Sequence, residues 1–515
     1  MRFLLLLLTG LLLVNCKKES KPITPKVSNE KIIVVDRFRE SYRPQYHFTP
    51  PEKWMNDPNG LLFHNGTYHL FYQYYPEDIV WGPMHWGHAT SKDLIKWEHK
   101  PIALFPDELG LIFSGSAVMD MANTSGLGSL ENPPMVAIFT YHLMEGEKAG
   151  RKDFQTQGIA YSLDEGDTWT KYEGNPVIGN TDIKDFRDPK VMWHEQSEQW
   201  IMTLVAGDHA KIYSSPNLID WTHLSDFGKN KGAHGGVWEC PDLFPLAVEG
   251  SDETKWVLLI SINPGAPNGG SGTQYFIGEF DGERFTTTQE DTKWLDYGTD
   301  NYAGVTYNGL ADSERTFIGW MSNWNYARDT PTENWRSAMT LPRKITLKKN
   351  KQGYYLNNFP VNALDNYTEL LTDGIDKKDN TYRTDSFNQH RIDFSIDGEL
   401  DSFTVDFSNE LDEHLLLGFD ASKKQFYVDR RESGIVDFEP RFAEKSHLAP
   451  VILDSDMDVS VSLFMDASSI EMFVNGGSVV LTDQIFPTST YTEMELKGEA
   501  SYKDITISKV RRIWD

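Results

Sequence analysis

Three acidic residues stand where a carboxyl group could do chemistry, each beside or near a proline. Asp57 lies in Trp54-Met55-Asn56-Asp57-Pro58-Asn59-Gly60, Asp188 in Phe186-Arg187-Asp188-Pro189, and Glu239 in Trp238-Glu239-Cys240-Pro241-Asp242. Taken singly, each has an ordinary structural explanation. Asp-Pro-Asn-Gly is a good β-turn sequence, and Arg187 beside Asp188 reads as a surface pair worth little. Taken together, they match what hydrolysis of a glycosidic bond requires, two carboxyl groups flanking the bond to be cut. One must hold a proton to help the leaving oxygen depart. The other attacks the anomeric carbon or activates water.

Residues far apart in sequence must converge for this to work, so the elements between them matter. From about Tyr42 to Asn350 the chain is a succession of short β-type runs, such as Tyr68-His69-Leu70-Phe71-Tyr72 and Trp256-Val257-Leu258-Leu259-Ile260, broken by Gly, Asn, Asp and Pro. A weak repeat runs through it: Ala89 to Trp97, Ala160 to Trp169 and Tyr213 to Trp221 each pass from a strand end through a Ser/Asp/Gly turn to a tryptophan. A repeat of this size suits one four-stranded propeller blade with its loops. Some 300 residues at about 60 per blade predict five blades. The innermost strands of such blades surround one axial funnel, where acids from the first, third and fourth blades would meet. Beyond about Pro360 the runs Phe403 to Phe407 and Val459 to Leu463 alternate apolar and polar residues, and Asn475-Gly476 marks a hairpin. The expected fold is all-β: a five-bladed β-propeller over residues 42–357, then a β-sandwich over 358–515.

The N-terminus reads as an address. Arg2 precedes an apolar run from Phe3 to Val14, too short to span a bilayer but right for a signal-peptide core. The run ends at Leu13-Val14-Asn15-Cys16, similar to a bacterial lipoprotein signal over residues 1–16 in which Cys16 is lipidated; residues 17–41 then form a polar tether. The chain is expected to be exported and lipid-anchored at the cell envelope, on its periplasmic or surface face. Lys and Arg total 49 against 76 Asp and Glu, and a net charge of −27 excludes nucleic acid as the default partner. The same charge opposes docking on anionic lipid, so the lipid anchor is the one membrane contact expected. The two cysteines, Cys16 and Cys240, leave no structural disulfide if the first carries lipid. The fourteen histidines show no metal-ligand spacing with acids or cysteines, so no metal is expected, and no motif calls for a cofactor.

The three acidic blocks, in this order, resemble the signatures of glycoside hydrolase family 32, the family of invertases, inulinases and levanases. Gln73, the run Trp81 to His88, Phe113-Ser114-Gly115-Ser116, Trp320 and the C-terminal run Ser469 to Val474 extend the resemblance over nearly all of the mature chain. One departure is Asp300-Asn301-Tyr302-Ala303, where an aromatic is expected at 301; the change is expected to alter the funnel rim. The resemblance implies a nucleophile at Asp57, an acid and base at Glu239, and a carboxylate at Asp188 that holds fructose hydroxyls and favours the oxocarbenium-like transition state. It implies a fructose pocket lined by Trp54, Asn56, Gln73, Trp81, Phe113, Ser114, Arg187 and Trp320. The blocks around Tyr46 to Pro50, Trp81 to His88 and His234 to Pro241 look closest to bacterial levanases and fructan β-fructosidases. The expected activity is release of terminal fructose from levan, with inulin and sucrose as further substrates and a fructan or fructo-oligosaccharide as the partner. The alternatives are an endo-acting levanase or inulinase, an inverting arabinan-type hydrolase on the same fold, and a silent fructan-binding protein.

Overall fold

The repeated tryptophan unit is the turn between the third and fourth strands of three successive sheets. It is seen in a computed structural model that describes residues 37–372, 376–452 and 458–514. Ser91 Oγ accepts the backbone N–H groups of Asp93 and Leu94, and Asp93 Oδ1 accepts those of Ile95 and Lys96. Ser162 with Asp164, and Ser215 with Asn217, do the same at the two later turns. Short polar side chains that satisfy the turn's own backbone explain why the unit repeats.

Among the described residues these hairpins belong to a ring of five antiparallel sheets. Each opens with an innermost strand: Lys53–His64, Leu111–Met119, Phe186–His194, Val237–Ala247 and Tyr302–Thr306. The fifth sheet ends at Gly353–Pro360, past the boundary at 357 expected from sequence texture. Closure joins its neighbourhood to the first sheet. Lys53 and Trp54 pair in parallel with Trp335 and Arg336, and Leu62 bridges to Asn308. The Asn308 side chain donates to the carbonyls of Ala117 and Val191, linking blades two, three and five.

The C-terminal region is a β-sandwich. A six-stranded sheet includes His390–Asp397, Val459–Asp466, Ser469–Val474 and Val479–Gln484; a seven-stranded sheet includes Phe403–Ser408, His414–Asp420 and Gln425–Glu432. Their inner faces share a core with Ile392, Phe394, Val405, Phe407, Leu417, Val461 and Leu463, as period-2 alternation requires. Where the sandwich meets the propeller, buried ion pairs add to apolar contacts such as Phe359 against Phe464 and Phe473. Arg343 joins Asp296 and Glu471 at 2.8 and 2.6 Å, and Arg430 joins Asp300 at 2.6 Å.

Candidate active site

Every innermost propeller strand carries a one-residue bulge at the same level of the funnel. Met55 and Pro58 face Tyr74 and Tyr72; Ile112 and Gly115 face Tyr141 and Phe139. Arg187 and Lys190 face Val205 and Thr203, Glu239 and Asp242 face Ser261 and Leu259, and Tyr302 and Val305 face Trp320 and Ile318. In each case the inner strand advances one residue more than its partner, which re-aims the side chains there. Asp188, Cys240 and Ala303 take φ values of 62°, 47° and 54° to achieve it. The bulges also account for the prolines. Pro189 and Pro241 sit in the unpaired gaps and Pro58 at the edge of its own, so the missing N–H removes no ladder bond. The Asp-Pro-Asn-Gly block is therefore strand with two irregularities, the second at Gly60. A Cβ on Gly60, at φ 53°, would lie 2.6 Å from the Phe71 ring.

The bulges bring Asp57, Asp188 and Glu239 into one cavity of about 370 Å³. Asp57 accepts hydrogen bonds from Asn56 Nδ2 at 3.0 Å and Ser114 Oγ at 2.6 Å. Enclosure of the carboxyl and the negative charge of Glu239 push its pKa up to about 6, against the pull of those two donors. Asp188 accepts the backbone N–H of Cys240 at 3.0 Å. Burial raises it above the usual carboxylate range; Arg187 opposes this, and the charges of Glu239 and Asp57 reinforce it. Glu239 is held from two sides. Arg187 donates to Oε1 through Nε at 3.2 Å and Nη2 at 3.0 Å, and the Tyr302 hydroxyl donates to Oε2. The Cys240 thiol lies 3.7 Å from both Asp57 and Asp188. Burial and the surrounding carboxylates push it well up, so it stays a thiol and not a nucleophile.

Asn56, Gln73, Trp81, Phe113, Ser114 and Arg187 all line this cavity. Gln73 is fixed by donating to Asn59 Oδ1 at 2.7 Å and the Ile112 carbonyl at 3.0 Å. Phe113 stacks on His142 at 4.2 Å and meets Trp81 edge-on at 6.1 Å. Trp54 and Trp320 are different: both are wholly buried and neither reaches the wall. The wall is Trp324, with Trp320 at 4.9 Å and Trp54 at 5.9 Å behind it. Trp54 still acts on the site, since its indole N–H donates to Asn56 Oδ1 at 2.7 Å and so aims the Asn56 amide at Asp57. Asn301 is likewise not on the rim. It is buried, donating to Asp296. A Cβ on Gly319 would meet its Oδ1 at 2.0 Å, so the residue is packed tightly in blade five. Cys16 lies outside the described residues.

Residues 47–358 match the model of the glycosyl hydrolases family 32 N-terminal domain, and residues 363–512 match the family's C-terminal domain. The chain belongs to glycoside hydrolase family 32. A levanase of Bacillus subtilis (strain 168) is 45% identical over 93% of this chain and 72% of its own length. An extracellular exo-inulinase of Aspergillus niger is 43% identical over 88% of this chain and 91% of its own. Among solved structures, exo-inulinase from Aspergillus awamori superposes with a TM-score of 0.84 at 40% identity, covering 93% of this chain and all of that one. Fructofuranosidase from Schwanniomyces occidentalis, complexed with fructose, gives 0.81 at 34% identity over 92% of this chain and 99% of that one.

This family 32 glycoside hydrolase has site residues that its sequence did not announce. Tyr302 follows Asn301 in a stretch that carries no proline-flanked acid, yet its hydroxyl touches Glu239. Trp324 and Arg328 form part of the wall, with the Arg328 guanidinium 5.8 Å over the Trp324 ring. Asp185, two residues before Arg187, accepts from it at 2.8 Å. Glu147, on the short helix Met144–Lys148, reaches His142 at 3.1 Å, and both line the cavity.

Proposed function

We propose that the enzyme is a retaining β-fructofuranosidase that releases terminal fructose from fructans, levan first, with inulin and sucrose as further substrates. The observation that carries this is the convergence of Asp57, Asp188 and Glu239 at the floor of a dead-end cavity. Beneath them lies only a void of about 10 Å³ among Pro58, Gly115, Asp188 and Cys240, and a closed floor of this kind supports a pocket that receives a chain end. The likeness to a levanase and to exo-inulinases supports the substrate class.

In this reading the Asp57 carboxylate bonds to the anomeric carbon as the bond to the leaving oxygen breaks, and the proton of Glu239 passes to that oxygen. Water then attacks the fructosyl ester, Glu239 takes its proton, and Asp57 departs as the carboxylate. Two inversions at one carbon give net retention. Asp188 accepts hydrogen bonds from fructose hydroxyls and its charge favours the oxocarbenium-like transition state. Arg187 and Tyr302 keep Glu239 in place between the two proton transfers.

The test is a time course on levan and on inulin with products resolved by chain length. Fructose alone from the earliest point is expected, and the ratio of the two rates gives the linkage preference. Early oligosaccharides would assign the cavity to internal cleavage instead. Asp57→Asn should abolish turnover in folded protein, and Glu239→Gln should slow poor leaving groups most. We also infer export with lipid attachment at Cys16. Cys16→Ser should then move the enzyme from the membrane fraction to the soluble fraction.

A further inference from the structure

The same inner strands that carry the carboxylates run on to a second cavity at the opposite end of the propeller. Its volume is about 710 Å³, against about 370 Å³ for the carboxylate site. Its lining includes Phe63 and His64 from blade one, Met119 from blade two, Trp193 from blade three and Trp256 from blade four. Strand rise puts the level of His194 about 20 Å from that of Asp188, six residues on at roughly 3.3 Å each. The two cavities are separate. Lys190, buried between them, pairs with Asp242 at 3.2 Å and donates to the Thr306 carbonyl, plugging the axis.

The second lining is unlike a packing defect. Trp193 and Trp256 are only half-buried, yet each is held by an edge-on neighbour, Trp200 at 5.1 Å and Phe280 at 5.0 Å. Rings fixed in this way lose little freedom when a ligand settles on them. Glu195 and Gln196 stand exposed beside them. Arg315 is 8% exposed; it reaches Asp312 at 2.5 Å and its guanidinium lies 4.9 Å over the Phe244 ring, so it is held in place at the cavity edge. Acids outnumber cations in this lining, so an anion does not fit. Fixed aromatic surfaces with a few convergent donors and acceptors suit a neutral polyhydroxylated chain, whose C–H faces rest on rings and whose hydroxyls take the polar groups.

We propose that this cavity is a second, non-catalytic carbohydrate site that holds a fructan chain on the face opposite the catalytic pocket. The proposal rests on the fructan reading above. Its effect is avidity: an enzyme held on the polymer meets further chain ends at a raised effective concentration. Short substrates, which reach only the catalytic pocket, gain nothing.

The test compares Trp193→Ala with wild type on inulin and on sucrose. The expected result is an inulin KM raised about five-fold or more, with kcat and the sucrose KM unchanged. Because Trp193 also packs on Trp200, the exposed pair Glu195→Ala/Gln196→Ala is measured alongside and should shift the inulin KM in the same direction. An unchanged inulin KM in both variants, or an equal rise on sucrose, overturns the proposal. A change in sedimentation coefficient in either variant would also overturn it, assigning the face to contact between copies of this chain. Wild-type enzyme that releases nothing from inulin or levan would instead refute the fructan reading itself, a separate outcome.

Discussion

In the proposed mechanism Asp57 attacks only as the carboxylate, yet its surroundings push its pKa up to about 6. The acid limb of kcat/KM should therefore lie near pH 6, where protonation removes the nucleophile. Ser114 sets part of that position, because its 2.6 Å hydrogen bond favours the charged form. Ser114→Ala should move the limb to higher pH by up to about one unit. A limb that stays in place would show that another group controls it. The same shift has a thermodynamic consequence. The folded pKa lies above the ordinary value of about 3.9, so this carboxyl favours the fold below that value and the benefit is lost as pH rises through about 6. Asp57→Asn carries no charge to lose. Thermal melts should find the variant more stable than wild type at pH 7.5, by on the order of 1–3 kcal/mol, with no difference at pH 4 and below.

At the level of elements, the site is five bulges aligned around one axis, and this explains what sequence could and could not reveal. The prolines after Asp57, Asp188 and Cys240 are visible in the chain, and they mark where ladder bonds are absent. The bulges at Phe113-Ser114 and Ala303-Gly304 carry no proline, so the positioning of Ser114 had only the family resemblance to announce it and that of Tyr302 had nothing. Gly115 shows how tight the device is, since a Cβ there would stand 2.0 Å from the Ile138 carbonyl oxygen. The tryptophans illustrate the other limit. Residue type does not distinguish a wall from the layer behind it, because both need a large flat side chain. Trp320 and Trp54 proved to be that layer and Trp324 the wall. The difference is measurable. Trp324→Ala should raise the KM for sucrose about ten-fold with little loss of stability. Trp320→Ala should cost about 3–5 kcal/mol of stability, as for other buried tryptophans. Equal effects of the two on KM and on melting temperature would contradict this division.

Across the whole molecule, the two β regions are joined by charges that sequence gives no reason to bury. His47 precedes the first blade, Arg343 lies in the fifth, and Asp466 and Glu471 lie in the sandwich; taken alone, each would be placed at the surface. In the fold His47 meets Asp466 at 2.8 Å and Glu471 at 2.9 Å, and Glu471 also holds Arg343. Burial by itself would push the imidazole pKa down, but the two carboxylates overcome it and lift it to about 9. A histidine raised from about 6.5 in the unfolded chain stabilises the fold fully below that pH, and the contribution disappears as pH climbs through about 9. Its size is about 3 kcal/mol, from roughly 1.4 kcal/mol per pKa unit. Wild type should therefore lose stability between pH 6.5 and 9.5 in urea unfolding, with the carboxylates left behind increasingly uncompensated. His47→Gln should start lower, because it leaves those carboxylates facing an amide, and should show a shallower decline over the same interval. Parallel curves for the two proteins would mean that His47 is neutral in the folded state and that Arg343 alone balances the sandwich acids.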